Sequence, residues 1–156
     1  MKTKILITGS SGFIGFHLSK KLLEKGNIVH GYDSMNNYYD VRLKKARYEI
    51  LKKNKNFSFT KNKLENRKTL GNVFKKFKPN IVIHLAAQAG VRYSIEKPRV
   101  YLDSNITGTY NIIEVSKKYN VKHLIMASSS SVYGANKKIP FKEIDKTETQ
   151  LSIYAA

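Results

Sequence analysis

Lys4-Ile5-Leu6-Ile7-Thr8-Gly9-Ser10-Ser11-Gly12-Phe13-Ile14-Gly15 is the stretch on which the fold of this chain turns. An apolar, β-branched run of strand length stops at a glycine, and three glycines spaced three apart lead into Phe13 to Glu24. There Phe13, Ile14, His17, Leu18, Lys21 and Leu22 recur at helical spacing, and Gly26 follows as the stop. A bare glycine triplet is an ordinary turn. Between a strand and an amphipathic helix it is a phosphate-binding turn: Gly9 permits the tight bend, Gly12 lets the backbone approach an anion, and Gly15 lets the helix lie close to the strand. The helix amino terminus adds free N–H donors and a partial positive charge.

Outward from this turn, short apolar runs alternate with longer helical segments. Strands are expected at Lys4 to Thr8, Ile28 to Asp33, Phe57 to Thr60, Ile81 to Leu85 and His123 to Ala127. Helices are expected at Phe13 to Glu24, Val41 to Lys53, Lys68 to Phe77 and Pro98 to Tyr119, with Pro98 in a first turn and Lys78-Pro79-Asn80 breaking the third helix. Strand-helix alternation with short right-handed crossovers gives an α/β doubly wound parallel sheet of order 3-2-1-4-5, a three-layer α/β/α domain of Rossmann type. The carboxyl ends of the first and fourth strands, where the order reverses, place the loops after Thr8 and Leu85 face to face. No repeat or linker divides residues 1–156, so one domain is expected.

Asp33 ends the second strand, 33 − 15 = 18 residues after the third glycine. That suits a carboxylate holding the adenosine ribose of a dinucleotide. No arginine follows until Arg42, so a ribose phosphate would meet Asp33 without a neutralising partner, and NAD is expected over NADP.

Composition narrows the remaining classes. The chain has no cysteine, which excludes disulfides, thiol catalysis and Cys-ligated zinc, and no metal site is expected. It has no apolar run of membrane-spanning length and no signal-peptide pattern, so a cytoplasmic protein without membrane contact is expected. The formal charge of +18 arises from lysines dispersed along the chain, as at Lys20-Lys21, Lys52-Lys53 and Lys117-Lys118. Such pairs read as solvated helix surface; a specific nucleic-acid footprint would need them clustered on one face.

Several stretches together resemble the nucleotide-sugar epimerases and dehydratases of the extended short-chain dehydrogenase/reductase family, most narrowly the UDP-glucuronate 4-epimerases. They are TGSSGFIGFHLSKKLLEKG from residue 8, DSMNNYYDVRLKKAR from 33, HLAAQAGVRYS from 84, DSNITGT from 103, VKHLIMASSSSVYG from 121 and KKIPF from 137. The resemblance covers essentially the whole chain and implies NAD as cofactor and a UDP-sugar as substrate. It assigns NAD contacts to Gly9, Gly12, Phe13, Ile14, Gly15 and Asp33, and to Leu85, Ala86, Ala87 and Gln88 after the fourth strand, with Asn105 bracing that loop. It assigns catalysis to Ser129 and Tyr154, and places Arg92, Ser94, Ser130 and Ser131 toward the sugar. A homodimer is compatible with it.

The resemblance also implies a reaction. A tyrosine phenolate takes a sugar hydroxyl proton as hydride leaves for the nicotinamide, the ketone turns over, and hydride returns to its other face. Ser130 and Ser131 stand where the related 4,6-dehydratases carry an acidic pair, and a serine hydroxyl is no acid near neutral pH, so dehydration is disfavoured. After the third strand the family usually has Gly-Asp-Leu, whose aspartate meets the adenine. Here Asn62-Lys63-Leu64 stands instead, and that contact is lost unless Asn62 replaces it. The family's tyrosine is followed four residues later by a lysine, and counting four from Tyr154 passes Ala156. A chain lacking that lysine and the carboxyl-terminal substrate domain is expected to be inactive alone. A non-catalytic NAD-binding or interaction module and a basic nucleic-acid-binding protein are the other readings.

Overall fold

The computed structural model describes residues 2–156. Five parallel strands, β1 (Lys4–Thr8), β2 (Ile28–Asp33), β3 (Phe57–Lys61), β4 (Ile81–His84) and β5 (His123–Met126), form one sheet in the order β3-β2-β1-β4-β5. The expected order is the observed one. Helices α1 (Phe13–Glu24), α2 (Val41–Lys52) and α3 (Arg67–Phe77) match the expected segments to within a residue at each end.

Alternation along β1 explains the layering. Ile5 and Ile7 point to one face and join Phe16, Leu23, Val29, Leu51 and Ile83, a core closed by α1 and α2. Leu6 points to the other and joins Tyr32, Leu70, Phe74, Val82 and Ile112 under α3 and the last long helix. Burial on both faces is what makes these strands unbroken apolar runs. Gly26 ends α1 in a left-handed conformation, with its N–H donating to Leu23 O at 2.9 Å.

Two departures from expectation lie near the reversal point. Residues Val91–Glu96 form a short helix, α4, too brief to show a period in the sequence. The expected helix from Pro98 to Tyr119 is three pieces: α5 (Pro98–Tyr101), a π-helical turn at Leu102–Thr107, and α6 (Gly108–Lys118). Wide π turns recur at functional sites, and this one carries Asn105. After β5 the chain makes a 3-10 turn at Ser130–Tyr133 and then runs largely without regular structure. Among the described residues, no helix is long and apolar enough to cross a membrane.

Candidate functional site

The glycine turn sits where β1 ends. Gly9 takes φ +72°, its N–H donates to Tyr32 O at 2.8 Å, and a Cβ on it would come within 3.0 Å of Ala86 N. The loops after β1 and β4 therefore touch, as the strand order requires. At Gly15 a Cβ would lie 2.1 Å from Gly9 O, so only glycine lets α1 pack this close to the turn. Gly12 caps α1 with no side-chain hydrogen bond, which leaves the first helical N–H groups without a capping partner. The hydroxyls of Ser10 and Ser11 are buried without a partner among the described residues. Phe13 and Ile14 are 67% and 66% exposed, so what they present to the turn is backbone N–H rather than apolar surface.

Asp33 is buried, and both carboxylate oxygens are held: Oδ2 accepts from Ser11 N at 3.0 Å and Oδ1 from Met35 N at 2.8 Å. It lines one cavity with Gly9, Gly12 and the segment Leu85 to Gln88. Each carboxylate oxygen keeps a further lone pair for a ribose hydroxyl. A glycine cradle with unpartnered donors, beside a fixed carboxylate, fits the diphosphate and ribose of a dinucleotide.

A second network fixes the far wall. Thr8 Oγ1 accepts from Leu85 N and Ala86 N, each at 3.1 Å, which fills its two lone pairs. Its own proton must then go to His84 Nδ1 at 2.7 Å. His84 is thereby the Nε2–H tautomer, and it donates to Thr109 Oγ1 at 3.0 Å, tying α6 to the loop. Burial pushes this imidazole down to about 4, so it stays neutral at ordinary pH. Further along, Asn105 Oδ1 accepts from Gln88 N at 2.7 Å and Asn105 Nδ2 donates to Gln88 O at 3.0 Å.

One cation reaches the cavity without belonging to any motif of the sequence. Lys44 is buried on α2, and its ammonium donates to Asn36 O at 2.9 Å and Asn36 Oδ1 at 2.6 Å in the wall of the same cavity. Burial lowers its pKa while the charge of Asp33 opposes that shift. Among the described residues Asp33 forms no ion pair with an arginine, Arg42 pairing outward with Asp40 at 2.9 Å, while α2 brings the Lys44 ammonium into the cavity wall that Asp33 lines. Lys44 and Leu51, seven apart and both buried, mark the inward face, the one trace of this in the sequence. Arg47 of the same helix donates to Ser11 O at 3.3 Å.

The residues assigned to catalysis and to the sugar lie outside this wall. Ser129 caps the 3-10 turn, its Oγ accepting from Ser131 N at 3.3 Å, and Ser130 is exposed. Tyr154 packs edge-on against Tyr101, ring centroids 6.0 Å apart. Tyr101 is itself buried, with its hydroxyl directed at Ala89 O and Gly90 O at 2.9 and 2.5 Å. Arg92 is exposed on α4. Ser94 is fully buried and donates to Val91 O at 2.6 Å, so its hydroxyl holds α4 together rather than facing the open cavity.

Comparison with known proteins agrees with this architecture. The family model described as GDP-mannose 4,6 dehydratase matches residues 6–156. Protein CapI of Staphylococcus aureus is 56% identical over 153 residues, covering 98% of this chain and 46% of that protein. UDP-glucuronate 4-epimerase of Thermodesulfobacterium geofontis is 48% identical, covering 97% of this chain and 46% of the relative. The chain thus spans about half the length of the curated relatives it matches. Among solved structures, UDP-glucose 4-epimerase from Bifidobacterium longum, in complex with NAD+ and UDP, is 33% identical with a TM-score of 0.85, over 98% of this chain and 45% of that one. With its strand order, its glycine cradle and a family match over nearly its whole length, the chain belongs to the GDP-mannose 4,6 dehydratase family of extended short-chain dehydrogenases/reductases.

Proposed function

We propose that this chain is the NAD-binding part of a nucleotide-sugar 4-epimerase that converts UDP-glucuronate to UDP-galacturonate through a 4-keto sugar. The observation that carries the reading is the convergence of the Gly9–Gly15 cradle, the fixed Asp33 carboxylate and the Leu85–Gln88 loop on one cavity. Relatives named UDP-glucuronate 4-epimerase support the substrate. When bound, NAD supplies a hydride acceptor and donor.

The protein's own residues divide the remaining work. The α1 amino terminus neutralises the diphosphate, Asp33 accepts from the ribose hydroxyls, and Asn105 holds the Gln88 backbone in place. Tyr154 is the base that removes the sugar hydroxyl proton and later returns it, and Ser129 hydrogen-bonds the reacting oxygen as charge develops. Ser130 and Ser131 lack the acidity that elimination of water needs, which favours epimerisation over the dehydration in the family's description. Turnover is proposed for these 156 residues joined to a carboxyl-terminal half that encloses the UDP-sugar.

Binding is the direct test. In fluorescence titration of the 156-residue chain, NADH should bind about tenfold tighter than NADPH, because a ribose phosphate forfeits a hydroxyl donor to Asp33 and sets an anion against that carboxylate, which the neighbouring Lys44 offsets only in part. Asp33→Ala should narrow that gap. Equal affinities in the parent chain would remove the basis for NAD preference, and no binding of either would remove the reading itself.

A further inference from the structure

At the end of the sheet opposite the cavity, α1, α2, α3 and α6 each give way to the next strand through a short connection, residues 25–27, 53–56, 78–80 and 119–122. These connections and the residues before β1 carry Lys2, Lys25, Lys53, Lys55, Lys78 and Lys122, all exposed. Strand register sets them side by side. Lys4 pairs with Ile28, Val29 with Phe57, Ile5 with Ile81, and Ile81 with His123, so the five strands begin in one row. Hydrogen bonds cross that row: Ile28 N donates to Thr3 O at 3.0 Å, Asn80 N to Lys4 O at 2.8 Å and Lys122 N to Asn80 O at 3.0 Å.

The last turns of the same helices add Lys21, Lys52, Lys75, Lys76, Lys117 and Lys118, again exposed. A lysine there complements the helix dipole, which accounts for these six. It does not account for Lys2, Lys55 and Lys122, which belong to no helix. The acidic residues of these helix ends are Glu24, Glu49 and Glu114; Glu49 lies 3.8 Å from Lys52 and Glu114 3.8 Å from Arg67, and the other lysines of this pole enter no ion pair among the described residues. Lysines dispersed along the chain are thus gathered in space, because each strand-helix unit returns the backbone to the same end of the sheet.

We propose that this lysine pole attaches the protein to an anionic lipid surface through charge alone. Its cations stand in three rows, the strand starts in the middle and the helix ends of the two outer layers on either side, and the middle row is about 19 Å long. A planar layer of headgroups meets all three rows at once, whereas a duplex, being a rod, meets one or two. Arg42, Arg47, Arg67, Arg92 and Arg99 all lie outside these segments. The pole therefore lacks the planar fork that binds phosphates and base edges in nucleic acids, and keeps the hydrated point charges that suit a diffuse anionic surface. The exposed aromatic residues, Phe13, Tyr39, Tyr110 and Phe141, also lie elsewhere, at helix starts and in the tail, so the pole has no platform for stacking bases. Attachment at the amino ends of the strands leaves the glycine cradle, at their carboxyl ends, directed away from the surface.

The experiment is sedimentation of the 156-residue chain with phosphatidylcholine vesicles, and with vesicles in which about 30% of the lipid is phosphatidylglycerol, at about 0.1 M salt. Circular dichroism confirms that each variant is folded. The chain should sediment with the anionic vesicles only, and added salt should release it. Lys25→Gln, Lys55→Gln, Lys75→Gln and Lys122→Gln together should weaken attachment by about a hundredfold, at roughly fivefold for each lysine near the surface. Lys68→Gln, Lys97→Gln, Lys137→Gln and Lys142→Gln together remove the same charge from exposed positions elsewhere and should weaken it by less than about tenfold. Equal loss in the two variants would mean that net charge acts without a docking pole and overturns the proposal, as does a failure to sediment with anionic vesicles. Tighter binding to duplex DNA than to the anionic vesicles at the same salt overturns it in favour of a nucleic-acid partner.

Discussion

The cavity wall and the last thirty residues of the described chain are built on opposite principles. The side chains of Asp33, His84 and Asn105 are each held by hydrogen bonds from other elements, and the strands beneath them are buried on both faces. After β5 neither core cluster gains a residue, and Ile139, Ile144 and Leu151 stand 83%, 87% and 73% exposed. Ser129 and Tyr154 lie in that second region. The sheet prepares a nucleotide site without help from the region that carries the proposed chemistry, so binding and turnover should respond separately to mutation and to pH.

The largest separation should appear on acidification. His84 and His30 are both buried in the sheet region, His30 between Ser58 and Thr60 at 2.7 and 3.0 Å, and each is pushed to about 4. Desolvation is the main cause for both, with Lys76 adding to it at His30. The folded pKa lies below the unfolded value of 6.5, so the unfolded state binds more protons between the two. Stability contributed by the neutral rings is complete above about pH 6.5 and is lost as pH falls toward 4. Each group should contribute about 3 kcal/mol over that range. Urea midpoints measured from pH 7 to 4 should fall accordingly, and His84→Asn, which keeps an acceptor for Thr8, should remove about half of the slope. A pH-independent midpoint would show that these histidines titrate normally.

Next in size is the glycine cradle against an open helix glycine. Gly15→Ala drives a methyl into Gly9 O and should destabilise the protein by about 2 to 3 kcal/mol, with loss of NADH binding. Gly71 on α3 has nothing within 4 Å of its would-be Cβ, and Gly71→Ala should stabilise by up to about 1 kcal/mol. Thermal unfolding of both variants checks the pair; a neutral Gly15→Ala would mean that the turn yields.

What the sequence disclosed follows the same division. Parallel strands buried on two faces appear as apolar runs, and a phosphate-binding turn is local, so the sheet order, the glycine cradle and Asp33 were legible. His84 with Thr8, 76 residues apart, and Lys44 with Asn36 across a bend were not, because a long-range side-chain bond leaves no period in the chain. The π turn was hidden inside a helical pattern, since one wide turn shifts the phase without breaking apolar spacing. Ser129 and Tyr154 were placed by resemblance alone, and the structure holds them outside the cavity wall.

The smallest energetic effect should come from the exposed region itself. Ile144 packs against little, so Ile144→Ser should change folding stability by less than about 0.5 kcal/mol. A protease gives the same contrast more directly. Lys137, Lys138, Lys142 and Lys146 are all exposed in a stretch without helix or strand, whereas the lysines of α1, α2 and α3 lie in hydrogen-bonded helices that must open locally before cleavage. Brief trypsin treatment should therefore cut first between residues 137 and 146. The cavity wall is made by residues up to Ser104, so the nicked chain should keep its NADH affinity to within about threefold. First cuts within α1 to α3, or loss of binding in step with cleavage of the tail, would show that the two regions support each other.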